Sequence, residues 1–255
     1  MIKGVNYYYF SPTNTTKKIV EEIAKGIGNI LKCENITFIK DNREKYDNSE
    51  EVLVIVGVPV YGGRVPKIIL NTLKGIKGKG YVIPVVVYGN RAYEDALVEL
   101  EDILLANGFK ILAGGAFIGE HSYSKKVGTN RPDEKDLSIA YSFGKEIRKK
   151  LENKDISTPI FSGNRPYKAD MPIRVFAPIP NEKCNICMKC WKVCPVGAID
   201  CNDPRNVNLE KCIHCYACVK VCNFNGREVI NNPVQPIIEM LESKCLIRKE
   251  PEIFI

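Results

Sequence analysis

Val52-Leu53-Val54-Ile55-Val56-Gly57-Val58 is an unbroken apolar run in a chain of 255 residues. A strand with one wet face alternates apolar and polar residues, so a continuous run marks a strand covered on both sides, as in a parallel sheet. Working outward, residues 5–10 and 81–88 have the same character, residues 35–39 form a shorter strand candidate, and residues 110–117 supply a fifth. Helical patterns alternate with them. Residues 15–31 place Ile19, Val20, Ile23, Ala24, Ile27 and Leu31 on one face. Residues 66–73 begin on Pro66, residues 92–106 stop at Asn107-Gly108, and residues 132–151 end on Arg148, Lys149 and Lys150. Five strands alternating with helices predict an open, doubly wound α/β domain. Such sheets bind ligands beyond the carboxyl ends of their strands, which singles out the loops after Phe10, Val58, Val87 and Phe117.

The other half of the chain reads differently. Of 11 cysteines, only Cys33 precedes residue 180. The start, Met1-Ile2-Lys3-Gly4-Val5-Asn6-Tyr7, lacks the basic and apolar stretches of a secretory signal, and no run approaches the roughly 18 apolar residues of a membrane span. A cytoplasmic setting is therefore expected, where clustered thiols hold metal rather than form disulfides. Cys184-Asn185-Ile186-Cys187-Met188-Lys189-Cys190-Trp191-Lys192-Val193-Cys194-Pro195 has the C-x₂-C-x₂-C-x₃-C-P spacing of four-iron clusters. The spacing recurs 28 residues later at Cys212, Cys215, Cys218 and Cys222, with Asn223 in place of the proline. Zinc also takes cysteines in fours, but two runs with a third cysteine at x₂ exceed what a tetrahedral ion needs. Cys33, Cys201 and Cys245 read as small buried or half-buried hydrophobes. His214 is expected to face solvent, and Trp191 to pack.

Residues 155–180, with Pro159, Pro166, Pro172, Pro178 and Pro180, read as an extended linker. The chain thus divides into a domain at 1–154, a linker at 155–180, a cluster domain at 181–230 and a tail at 231–255. The tail carries an amphipathic segment, Ile237-Ile238-Glu239-Met240-Leu241, suited to packing on one of the domains. The net charge of +7 invites a nucleic-acid reading. Yet residues 1–158 hold 24 Lys and Arg against 20 Asp and Glu with no basic stripe, and anionic clusters and a phosphate would offset the excess.

Three loops of the first domain suit a flat anionic ligand. Phe10-Ser11-Pro12-Thr13-Asn14-Thr15-Thr16 opens a helix with hydroxyls and free N–H groups, a ready phosphate site or simply a set of caps. It lacks the Gly-rich patterns of nucleoside triphosphate and NAD sites. Val58-Pro59-Val60-Tyr61-Gly62-Gly63-Arg64 and Tyr88-Gly89-Asn90-Arg91-Ala92-Tyr93 bring aromatics and close backbone approach to the crevice.

Residues 181–230 resemble the bacterial two-[4Fe–4S] ferredoxins, including the continuation Cys194-Pro195-Val196-Gly197-Ala198-Ile199. The resemblance implies that the last cysteine of each run serves the other cluster. Cys184, Cys187, Cys190 and Cys222 would hold one, and Cys212, Cys215, Cys218 and Cys194 the other. Ser11-x-Thr13-x-x-Thr16 resembles the flavodoxin phosphate loop, with Asn14 where those proteins usually have glycine; residues 3–153 share the pattern. That resemblance implies strand order 2-1-3-4-5 and bound FMN. Ser11, Thr13, Asn14, Thr15 and Thr16 would hold its phosphate. Pro59, Val60 and Tyr61 would contribute to the site, the Tyr61 and Tyr93 loops would sandwich the ring, and Gly62 and Gly63 would lie near its reactive edge. Tyr88, Gly89, Asn90 and Arg91 would meet the pyrimidine edge, and Tyr93 would stack on the ring. The whole chain resembles flavodoxin–ferredoxin fusions of anaerobic microbes. This implies electron transfer between FMN and two [4Fe–4S] clusters, with redox partner proteins and room for a homodimer. Two other functions fit the same resemblance: a ferredoxin-fed FMN reductase with its own small substrate, and a redox- or oxygen-sensing module. The loop Gly119-Glu120-His121-Ser122-Tyr123-Ser124 reads either as polar surface or as a place where His121 or Ser122 serves as proton donor.

Overall fold

The structure is a computed structural model, and it describes residues 2–38, 45–172 and 174–255. Strands β1 (Gly4–Tyr9), β2 (Ile30–Asn35), β3 (Val52–Pro59), β4 (Tyr81–Tyr88) and β5 (Gly114–Ile118) form a parallel sheet in the order β2-β1-β3-β4-β5. The apolar runs make its three inner strands, in register through Tyr7, Ile55 and Ile83. Helices α1 (Thr15–Ile27) and α4 (Glu134–Glu152) cover one face. There Ile19, Val20, Ile23, Phe143 and Ile147 meet Phe117 and Ile55. Helices α2 (Leu70–Gly75) and α3 (Ala96–Ala106) cover the other, burying Leu73, Leu97, Leu100 and Leu104 against Val54, Val56 and Val86.

Several boundaries depart from the sequence reading. The helical pattern runs on to Leu31, but α1 stops at Ile27 because Gly28 (φ +87°) and Asn29 (φ +45°) turn the chain left-handed. Ile30 and Leu31 then open β2, so the second strand lies before the expected segment rather than in it; Ile39 falls outside the described residues. The fifth strand is broken into Lys110–Ile111 and β5, both alongside β4. A 3₁₀ turn, Lys67–Ile69, precedes α2. Helix α3 begins at Ala96, not at residue 92, since Asn90 and Glu94 both take positive φ. Asp133 caps α4 reciprocally with Asp136.

The proline-rich stretch is no free spacer. It is strapped along α3. The Asn164 and Lys168 amides donate to Asp95 at 2.8 and 2.6 Å, Arg165 pairs with Glu101 and Asp102, and Phe161 is buried beside Gly114. The cluster domain follows with short helices α5 (Lys189–Lys192) and α6 (Ala217–Lys220), and Arg227–Glu228 pairs back to Ile179–Pro180.

The tail returns to the first domain. Helix α7 (Gln235–Lys244) packs Ile237 and Ile238 on Phe176 and Tyr216, after which β6 (Glu252–Phe254) joins the large sheet antiparallel to β5. Between them, Asn90 Nδ2 donates to the Cys245 and Ile247 carbonyls at 2.7 and 2.8 Å, and Arg131 donates to the Lys249 carbonyl at 2.7 Å. Among the described residues no helix is long and apolar enough to cross a membrane.

Candidate functional site

The loops after β1, β3, β4 and β5 meet at the carboxyl edge of the sheet. In the first, Asn14 adopts a left-handed conformation (φ +64°) and caps α1 without a side-chain bond. The Ser11 hydroxyl accepts from the Lys17 amide at 3.0 Å, and the Thr13 and Thr15 hydroxyls lie 3.5 Å apart. Thr16 is fully buried and its hydroxyl has no partner. A buried hydroxyl without a partner is costly unless a ligand satisfies it. Beside a helix N-terminus it fits an anion such as the phosphate of FMN. Thr16→Val therefore keeps the shape and removes the orphan. The apoprotein should unfold at the same or higher denaturant concentration, while FMN affinity, measured by flavin fluorescence quenching, falls about tenfold or more.

Gly62 (φ +62°) and Gly63 (φ +88°) make the turn after β3, closed by paired bonds between Tyr61 and Arg64. A Cβ on Gly63 would strike Glu94, and one on Gly62 would meet the Met171 sulfur of the strap. Pro59 ends β3, and the Val60 amide donates to the Val87 carbonyl at 2.9 Å. The next loop is divided. Gly89 faces the crevice, with the His121 ring against it. Asn90, however, commits its side chain to the tail, and Arg91 pairs with Glu94 at 2.7 Å. Tyr93 is buried against Tyr88, its hydroxyl donating to Glu252 at 2.6 Å. The loops that carry residues 11–16, 59–63 and 88–91 thus lie at one end of the sheet, with the His121 ring against Gly89 and Met171 against Gly62. The side chains of Asn90, Arg91 and Tyr93 point to other work.

The loop after β5 is a domain interface, which corrects its reading as polar surface. Glu120 pairs with Lys220, Ser124 donates to Glu242 at 2.8 Å, and Lys126 pairs with Glu242 at 2.6 Å. The His121, Tyr123 and Tyr216 rings follow one another at 5.6 and 4.8 Å, with Ser122 half-buried between the first two residues. Burial, helped by the Lys220 and Arg91 charges, pushes the His121 imidazole down to about 4. It is neutral at pH 7 and so is not a charged acid there. Its folded pKa lies below the ordinary 6.5, so the unfolded chain binds more protons between those values. Stability should fall as pH drops below about 6.5 and level off near 4, and His121→Gln should flatten that part of a urea-midpoint-versus-pH profile.

The cluster cysteines surround two cavities. One is lined by Cys194, Cys212, Cys215 and Cys218, the other by Cys184, Cys187, Cys190 and Cys222. Each set takes its fourth member from the other run. Among the described residues no three His, Cys, Asp or Glu side chains converge on a single-ion site. Four thiols around each cavity match the ligand count of a cube of iron and sulfide. Burial pushes the Cys215 thiol up to about 12 and Cys218 higher still, so these ligands ionise only against a bound cation. Backbone amides already aim at sulfur: Ala198 N donates to Cys194 and Gly226 N to Cys222, each at 3.2 Å.

Ile213 and Tyr216 line the cavity of Cys194, Cys212, Cys215 and Cys218, and Ile213 also packs against the apolar core of the first domain. The Tyr61 hydroxyl, held well above its usual pKa chiefly by burial, lies close enough to Cys215 and Cys212 to feel their charge.

His214 does not face solvent. It stacks on Phe176 with centroids 3.9 Å apart, its Nε2 at 2.9 Å from the Phe176 carbonyl. Cys33 and Cys201 are exposed rather than buried, and Cys245 is intermediate. Trp191 is partly exposed, at 38%. Sequence reasoning passed over Tyr216 and Arg227. Both stand inside or beside the second run, and aligning the repeat would have flagged Arg227, which occupies the position of Ile199.

Residues 178–223 match the family model for the 4Fe-4S dicluster domain. Among solved structures the chain is similar to a flavodoxin from the domain Archaea (14% identity, 58% of this chain and 99% of that one, TM-score 0.41). It is likewise similar to flavodoxin 2 from Bacillus cereus (17%, 58% and 99%, TM-score 0.43). A third is a Fusobacterium nucleatum flavodoxin variant bound to flavin mononucleotide (18%, 60% and 98%, TM-score 0.39). No curated protein matches the chain. Strand order, crossovers and the dicluster match define the class: a flavodoxin-like α/β domain fused to a 4Fe-4S dicluster domain.

Proposed function

We propose that this chain is an electron-transfer protein that holds FMN in the crevice and two [4Fe–4S] clusters in the cysteine cavities. The observation that carries the reading is the shared wall: Ile213 lines the cavity of Cys194, Cys212, Cys215 and Cys218 and at the same time packs against the apolar core of the α/β domain. When bound, FMN accepts one or two electrons, so the chain would interconvert paired and single electron steps.

The residues supply position and electrostatics. Thr16 and the α1 N-terminus would bind the phosphate, and Tyr61, Gly62, Gly63 and Gly89 would border the ring. The Glu120–Lys220 pair ties the loop after β5 to α6 of the cluster domain, and the Ser124–Glu242 bond ties it to α7. Amides from Ala198 and Gly226 stabilise the anionic sulfurs. Donor and acceptor would be separate redox proteins in the cytoplasm. The test is stopped-flow absorption of anaerobic holoprotein after one-electron reduction at the clusters. Flavin bleaching within the same molecule, independent of protein concentration, supports the reading. No bleaching, or a rate that scales with concentration, overturns it.

A further inference from the structure

Arg227 is the most unusual charge in the molecule. It is only 5% exposed, yet it is not paired with a carboxylate. Nη1 donates to the Pro178 carbonyl at 3.0 Å, and Nη2 to the Pro204 carbonyl and, at 3.0 Å, to the Cys190 sulfur. Nε is buried and has no partner. The residue lines the cavity of Cys184, Cys187, Cys190 and Cys222. A buried guanidinium is costly unless something anionic compensates it, and the thiolates of a loaded cavity are the anions at hand.

The internal repeat sharpens this. Shifted by 28 residues, Cys194 becomes Cys222, Ala198 becomes Gly226, and the amide-to-sulfur bond recurs at the same 3.2 Å. The next pair breaks the symmetry: Ile199, buried at the wall of the other cavity, becomes Arg227. The two sites therefore share ligand pattern and backbone bonds, but only one carries a buried cation.

We propose that Arg227 makes the two clusters unequal, raising the reduction potential of the cluster held by Cys184, Cys187, Cys190 and Cys222 above that of its neighbour. A nearby positive charge and hydrogen bonds to sulfur both favour the more negative, reduced state. One electron shared between the sites then resides on the cluster held by Cys184, Cys187, Cys190 and Cys222. The second cluster is oxidised as the first is reduced, and no bond or proton changes place. Arg227 donates to a sulfur of this set alone and to no cysteine of the other cavity, so its effect on the other cluster is in the same direction and smaller. The inference rests on the iron–sulfur reading of the cavities and not on the flavin.

The experiment is an EPR-monitored redox titration of the anaerobic holoprotein, with iron and sulfide assays on every sample. The native chain should show two waves, and Cys187→Ser, which alters one ligand set only, should perturb the higher. Arg227→Gln should retain about eight irons. Its higher wave should fall by about tenfold in the reduced-to-oxidised ratio, about 59 mV for a one-electron couple, with Arg227→Lys in between. Coincident native waves, a higher wave that responds to Cys215→Ser instead, or a loaded Gln variant with unmoved waves overturns the inference. If the Gln variant fails to load, the native titration and the Cys187→Ser assignment decide. Fewer than about eight irons in the native chain would defeat the iron–sulfur reading itself, a separate failure visible in the assay.

Discussion

Cys215→Ala leaves about four irons per chain where the native protein holds about eight, and it abolishes fast exchange between the flavin and the remaining cluster. The two cavities make this specific. Cys215 is buried in the one whose wall, Ile213, packs against the core of the α/β domain, so its loss removes the cluster next to that domain and leaves the other. The sharper comparison is Cys194→Ala. By position Cys194 belongs to the first run, yet it lines the cavity of the second. It should reproduce the Cys215→Ala result in both iron content and stopped-flow traces. Cys222→Ala should lose the other cluster, as Cys184→Ala does, and keep rapid exchange with the crevice. A Cys194→Ala variant that behaves like Cys184→Ala instead would overturn the crossed assignment.

Arg131→Ala should be the most damaging single change outside the cluster ligands, lowering stability by about 3 kcal/mol, toward the lower end of the range for breaking a buried pair. Asp136 is fully buried and receives Arg131 Nε at 2.8 Å as well as a second guanidinium contact. Removing the arginine strands that carboxylate. Arg248 approaches it at 3.3 Å and compensates in part, which is why the lower end applies. The same guanidinium holds the Lys249 carbonyl, so the tail loosens too. Urea unfolding measures the loss. Replacing both partners, Arg131→Met with Asp136→Leu, should recover most of it, because no charge is then left buried alone. A single variant as stable as the native chain would show the pair to be dispensable.

Much of this molecule is written locally. The run at Val52 and its companions specify a covered parallel sheet because nothing else buries so many consecutive apolar side chains, and the cysteine spacing names a cluster because few other sites need it. What escaped the sequence is non-local. Gly28 and Asn29 overrule a helical pattern with two left-handed residues. The proline stretch reads as a spacer because its anchors, Asp95 just before α3 and Asp102 within it, sit 60 or more residues away. The loop at His121 looked polar because only folding shows that Tyr216 covers it. Asn90 and Tyr93 sit in a ring-binding pattern, but the tail recruits their side chains, and no periodicity in residues 245–254 reveals that.

The return of β6 to the large sheet alters what kind of fusion this is. The cluster domain does not dangle from the end of the flavodoxin-like one. It is spliced into it, with a strap entering on one side and a strand leaving on the other. Two attachments remove most of the pivoting that a single tether allows. The gap an electron must cross is thus built into the architecture and does not await a chance encounter. A protease that nicked the strap would leave two fragments still clasped through one continuous sheet.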